Sequence, residues 1–245
     1  MTPLKPETLV LFIESGWSIA RVLQLGTQQV NDIPNAPRAS GPTPKQAPAY
    51  ERFNQATAIL RELQIQGKVE LGYSEEATIL SDPIPPPLVQ ATDLILAAKS
   101  GYRFKRIKTG EFQLEGKVQV LKIRRKGEVN ESFIALEKLL GVDLLTQKNA
   151  KLKLEPRSVQ GIMYYLSHMV DVPLIHYESG KVQPTVNVHG EAFNWKEVAG
   201  NLFQVRVQKL KPKCAYAAVK YDGFWYYARV SQVHRFKVNI CLQAL

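Results

Sequence analysis

The chain has 245 residues, 45% of them hydrophobic, and a formal net charge of +10. That length and apolar content suffice for a sizeable core in one large or two small domains, and no apolar run approaches the ~18–20 residues of a membrane span. Two cysteines, Cys214 and Cys241, rule out a disulfide framework and fit a reducing compartment; with the four histidines they show no metal-ligand spacing, so neither metal nor cofactor is expected.

The N-terminal apolar patch Leu9–Ile13 is too short for a signal core and is flanked by Glu7 and Glu14, so the expected location is the cytoplasm. Helical spacing of Leu9, Phe12 and Ile13, then Ile19, Val22, Leu23 and Val30, predicts two short helices with a break at Gly16. Residues 31–48 hold five prolines and read as a linker or surface loop, which would set residues 1–48 apart as an N-terminal element. Residues 49–245 would form the main domain, with a further division conceivable near 127–150.

Tyr50–Gln66 is an amphipathic helix with Gly67 as its stop. Lys68–Tyr73 and Ala77–Leu80 alternate as strands, with Ser74-Glu75-Glu76 as a hairpin loop. A helix is expected from Pro86 to Lys99. Tyr102–Lys126 reads as two or three antiparallel strands with one basic face, and Glu131–Leu140 as another helix. A strand over Lys151–Glu155 feeds the stretch Arg157–Pro173. There Val159, Ile162, Met163, Leu166, Met169 and Val170 form the stripe of a core helix. Ser158 is its cap and Pro173 its end. Gly161 implies close approach of another backbone. A sharper reading would make Arg157, Tyr164 or His168 part of a site. The expected class is α+β, mainly antiparallel sheet with packed helices.

Positive charge is concentrated. Residues 99–126 carry ten Lys/Arg against two acids, and residues 206–237 carry eight against one. Clustered cations point to a polyanion, through phosphate contacts and counterion release. The plainer reading is a solvated basic surface.

Asp222-Gly223 between alternating apolar runs predicts a two-residue hairpin that pairs Tyr221 with Phe224 and Lys220 with Trp225. Alternation places Ala217, Val219, Tyr221, Phe224, Tyr226 and Ala228 on a core face. The second face carries Tyr216, Ala218, Lys220, Trp225, Tyr227 and Arg229. Rings interleaved with cations suit single-stranded nucleic acid, because bases stack on rings and phosphates meet cations. Tyr216, Lys220, Trp225, Tyr227 and Arg229 are the candidate contacts, with Arg103, Lys105, Arg124 and Arg125 as phosphate contacts. Burial of this face beneath a helix, with the cations at its rim, is the alternative.

Three stretches carry a resemblance. They are the Arg157-Ser158 helix with Gly161, the run Phe193-Asn194-Trp195 leading to Leu202–Val205, and the aromatic hairpin Ala217–Tyr227. Together they resemble a family of uncharacterised, hypothetical bacterial proteins with an Arg-Ser-x-x-Gly helix and a Val-Lys-Tyr-x-Gly-Phe-Trp-Tyr hairpin. Asp222 stands where that family suggests arginine, and Val233–Leu245 departs from the expected leucine-rich helix. The resemblance implies a fold unit and brings no activity with it.

Catalytic patterns are sparse. Glu115-Gly116-Lys117 is a Glu-x-Lys on a strand, as in metal-dependent nucleases, and would need Asp82 or Asp93 to complete a Mg²⁺ site. Cys214 follows Lys213 but has no histidine implied nearby. Ser158 lacks a nucleophile elbow, and no phosphate-binding glycine loop occurs. The expected function is therefore a non-catalytic basic protein that binds nucleic acid. The alternatives are an assembly subunit with a protein partner and a nuclease using Glu115 and Lys117.

Overall fold

The computed structural model describes residues 2–36, 49–186, 189, 191, 193–199, 202 and 204–229. Expectations for the proline-rich stretch past residue 36, for Phe203 and for the tail from residue 230, Cys241 included, lie outside the described residues.

Helices α1 (Pro6–Glu14) and α2 (Ile19–Gly26) form where apolar residues recur at helical intervals. The chain then turns through strands β1 (Thr27–Val30) and β2 (Ile33–Pro34), a hairpin masked in the sequence because Val30 continues the helical spacing of α2. Helix α3 (Glu51–Ile65) buries Phe53, Ala56, Leu60 and Leu63, and Gly67 follows it with a positive φ of 68°. Strand β3 (Val69–Ile79) runs unbroken through Ser74-Glu75-Glu76, where a loop was expected. Every residue of β3 is paired along the long strand β5 (Phe112–Arg125), which leaves no loop to form.

A 3-10 turn (Pro86–Leu88) and helix α4 (Ala91–Lys99) replace the single expected helix, and strand β4 (Tyr102–Arg106) leads back to β5. Helix α5 (Glu131–Leu140) begins at Asn130, whose side chain accepts from the Phe133 N–H at 3.2 Å. The expected strand at 151–155 is divided between two sheets. Strand β6 (Asn149–Leu152) pairs with β5, and strand β7 (Leu154–Pro156) pairs with β1. Helices α6 (Val159–Ser167), α7 (Leu174–Glu178) and α8 (Trp195–Ala199) follow. Strands β8 (Val205–Gln208), β9 (Ala217–Tyr221) and β10 (Phe224–Ala228) form a separate sheet in the order β8–β10–β9.

All named strands pair antiparallel, and helices pack on them, so the protein is α+β. One core cluster joins Val10, Ile19, Leu23 and Ile33 to Phe53, Leu60, Leu121, Ile123, Phe133 and Leu152. The N-terminal helices, α3 and α5 share this core.

Ser158 caps α6 as expected, accepting from the Gly161 N–H at 3.1 Å. The expected stripe is buried only in part: Met169 is in the core and Leu166 packs against it, but the first turns differ. Val159 and Met163 are 54% and 47% exposed, whereas Tyr165 is fully buried. The reason is Arg157, itself only 2% exposed, whose guanidinium carbon lies 4.2 Å from the Tyr165 ring centroid. A Cβ at position 161 would meet the Arg157 and Ser158 side chains at ordinary contact distance, the nearest atom being the Arg157 Cβ at 3.4 Å, so the expected close approach of another backbone is not found there.

Among the described residues, no carboxylate lies against the Arg157 guanidinium. It donates to the carbonyls of Gln24 at 2.8 Å, Leu25 at 3.3 Å and Asn35 at 2.6 Å, and also to that of Thr27. Gln24 and Leu25 lie in the last turn of α2, where carbonyls lack helical partners and the helix dipole is negative. The cation thus caps α2 from inside the protein. Burial lowers its pKa to about 10, which leaves it charged at neutral pH. Asn35 completes the knot, its Nδ2 donating at 2.8 Å to the same Gln24 and Thr27 carbonyls. Arg157 is therefore an internal brace, which corrects its reading as a site residue.

Arg157→Met should cost roughly 3 kcal/mol or more of unfolding free energy, because it strands buried carbonyls. Arg157→Lys should recover only part of this, since one ammonium cannot span the end of α2 and Asn35 together. Urea unfolding of the three proteins measures both effects.

Candidate nucleic-acid interface

Half of the ten cations of the first basic segment meet acids within their own sheet. Lys117, Lys122 and Lys126 of the β5 side reach Glu75, Glu76 and Glu70 of β3 at 3.5, 3.4 and 2.9 Å. Lys151 of β6 also reaches Glu76, at 2.6 Å. The expected phosphate contacts are likewise engaged. Arg103 Nε donates to Glu115 at 2.9 Å, with a second contact from its Nη2, and Lys105 Nζ lies 3.3 Å from the same carboxylate. Arg125 donates to the carbonyls of Leu144 and Gly127, each at 2.9 Å, and fastens the chain around α5. Arg124 stays exposed and donates to the Asn149 side chain at 3.1 Å.

These contacts also define the Glu-x-Lys motif. Glu115 is buried, and its hydrogen bond from Arg103 holds its carboxyl below the ordinary range. Its lone pairs serve two cations, and Lys117 faces Glu75. Gly116 between them lies under Tyr102, whose ring would come within 2.7 Å of an added Cβ. Asp93 belongs to the capping box of α4, accepting from the Gln90 N–H at 2.9 Å. Among the described residues, no three His, Cys, Asp or Glu side chains gather in a way that could hold a metal ion.

The C-terminal sheet differs. Its hairpin has the deduced register, with Phe224 opposite Tyr221 and Trp225 opposite Lys220. Asp222 and Gly223 have φ values of 46° and 81°, the two left-handed positions that a two-residue turn requires. Asp222 is held in place, with Lys181 Nζ at 2.5 Å and His176 Nε2 at 3.0 Å. His176 is buried, packs edge-on to Phe224 and lies 3.5 Å from the Tyr226 hydroxyl through Nδ1. An aspartate at the turn thus clasps the hairpin to α7, a contact between distant segments that no local pattern announces.

Residues opposite each other on paired strands share a face. Arg206, Gln208, Ala218, Lys220, Trp225 and Tyr227 therefore lie together, and Val207, Val219, Tyr221, Phe224 and Tyr226 lie behind them. The expected division into core and open faces is corrected in two places. Val219 and Tyr221 are 62% and 69% exposed, because β9 is an edge strand. Tyr227 is 6% exposed, because it sits on the middle strand with the Arg229 guanidinium 5.5 Å from its ring centroid. Tyr227 therefore offers no open ring face for stacking. Trp225 is half-buried, with Lys211 Nζ 5.5 Å from its ring centroid, and Tyr216 is exposed.

Arg206, Lys209, Lys211, Lys213, Lys220 and Arg229 are all exposed. Among the described residues none of the six forms an ion pair, while Asp222, the one acid among them in sequence, serves Lys181 and His176. Cys214 is exposed in the same connection. No described helix is long and apolar enough to cross a membrane. The chain matches no protein-family model, no curated protein and no solved structure.

The Lys181 ammonium, chiefly, holds the Asp222 carboxyl below the ordinary carboxylate range. A carboxylate whose folded pKa is depressed stabilises the fold above its unfolded value, about 3.9, and loses that contribution as pH falls through the folded value. Wild type should therefore melt above Asp222→Asn at pH 7, and the gap should close below about pH 4. A gap that stays constant across the melting series would detach the clasp from this carboxylate.

Proposed function

We propose that this is a non-catalytic binding protein whose C-terminal sheet holds single-stranded nucleic acid. The observation that carries the reading is the contrast between the two basic segments. Half of the first segment's cations meet β3 glutamates or Glu115, whereas the other segment carries six exposed cations that form no ion pair among the described residues, Lys220 lying opposite Trp225 and Lys211 beside its ring. Phosphates would meet Arg206, Lys220, Arg229 and the lysines of the connection between β8 and β9. A base would stack at Trp225 or Tyr216. The contact set expected from sequence thereby contracts, with Arg103, Lys105 and Arg125 in structural roles. A cytoplasmic location suits this chemistry and the two-cysteine composition.

A second reading, a subunit of a larger protein assembly, has one specific support. Leu88, Leu94, Ile95 and Leu96 around α4 are exposed together, and Ala97 is the buried residue of that helix. Apolar side chains grouped in this way commonly mark a protein contact.

Trp225→Ala should weaken binding to a labelled single-stranded oligonucleotide by ~1–3 kcal/mol if a base stacks there. Lys220→Ala should weaken it and reduce the slope of log affinity against log salt by about 0.7. Fluorescence polarisation at several salt concentrations, with duplex and heparin as competitors, reads both. Heparin binding as tight as the oligonucleotide, with no effect of Trp225→Ala, would leave only nonspecific polyanion attraction. No binding at low salt would remove the reading.

A further inference from the structure

A parallel bridge between Val170 and Val205 adds a short segment to the open edge of β8. The Asp171 N–H donates to the Val205 carbonyl at 2.8 Å, and the Val205 N–H to the Met169 carbonyl at 3.1 Å. Beside this edge lies a cavity of about 570 Å³, within the ~300–1,000 Å³ range of small-ligand sites.

Four of its lining side chains, His168, Tyr177, Phe193 and Trp195, carry rings. His168 and Trp195 lie 4.0 Å apart between centroids, and Phe193 packs edge-on to Trp195 at 5.0 Å. The Trp195 Nε1–H is committed to the Thr185 hydroxyl at 3.0 Å, so the indole presents an apolar surface. His168 Nδ1 lies 2.8 Å from the Tyr164 carbonyl, which can only accept, so Nδ1 carries the proton. Burial lowers the pKa of this imidazole, so at neutral pH Nε2 is an acceptor. At the mouth stands a carboxylate beside an ammonium. Asp171 is half-buried, with Lys196 Nζ at 3.4 Å and Gln204 Nε2 at 3.4 Å, both long contacts that closer donors could displace.

We propose that this cavity accepts one unpaired nucleobase, guanine in preference, stacked against Trp195 and read by Asp171 and Lys196. Guanine carries two adjacent N–H donors at N1 and N2 and an acceptor at O6. That row matches a carboxylate with an ammonium next to it. Adenine, cytosine and uracil each present a single donor group on that edge, so each leaves part of the pair unmatched. The site rests on the nucleic-acid reading for its biological context, because it continues the edge of the sheet assigned to the strand. Its own chemistry can be tested without that sheet.

Isothermal titration of the full chain with GMP, AMP, CMP and UMP tests the pocket. GMP should bind tightest, by about tenfold or more, the discrimination a bidentate pair provides. Asp171→Asn should abolish the preference. Lys196→Ala, at an exposed position, should weaken GMP while leaving thermal melting unchanged. A wild type that binds no mononucleotide, or an Asp171→Asn variant that keeps the preference, would overturn the proposal. Oligonucleotide binding without GMP binding would sink the pocket and spare the sheet. GMP binding without oligonucleotide binding would spare the pocket and sink the sheet.

Discussion

A single buried cation ties the start of α6 to the end of α2 and to Asn35. Arg157 begins the link from β7 to α6, yet its guanidinium spends its donors on the end of α2 and on Asn35. An arginine in a low-dielectric interior is costly unless its donors are satisfied. Here the compensation comes from carbonyl dipoles at a helix C-terminus and from the face of Tyr165, with no acid involved. The orientation of α6 follows. The helix turns Tyr165 inward over the cation and leaves Val159 and Met163 outside, which in turn sets His168 beside Trp195.

Charge pairing then divides the surface. Arg103, Lys105, Lys117 and Lys122 of β4 and β5 meet acids that lie across a strand ladder, so part of the sheet's positive charge is balanced within it. In the C-terminal sheet the register brings Arg206 and Lys220 to one face with Trp225, and the single nearby acid is drawn to the turn by Lys181 and His176. Two segments with similar linear charge thus have different surface chemistry. The difference lies in the acids that neighbouring strands supply: Glu70, Glu75, Glu76 and Glu115 in the first sheet, and within residues 206–229 Asp222 alone.

Local signals were readable where they are self-contained. Glu131–Leu140, the Asp222-Gly223 hairpin with its pairing, the cap at Ser158 and the stop at Gly67 all follow from residues within a few positions of one another. Signals failed where distant partners decide. Ser74-Glu75-Glu76 resembles a loop until β5 supplies a partner for each residue. The central helix pattern misplaced Val159 and Met163 because an arginine just before the helix occupies the interior and draws Tyr165 inward. The two-faced alternation of the hairpin was sound, but which face is covered depends on the sheet order β8–β10–β9. The ring cluster of His168, Phe193 and Trp195 had a faint trace in the Phe193-Asn194-Trp195 run, whose meaning appears only once α6 and α8 meet.

The most direct measurement compares two triple variants for single-stranded oligonucleotide affinity at low salt. Lys209, Lys211 and Lys213 changed to Gln should lower affinity steeply, while Lys117, Lys122 and Lys126 changed to Gln should leave it close to wild type. Equal losses, or a larger loss in the second variant, would contradict the assignment of the binding surface to the C-terminal sheet.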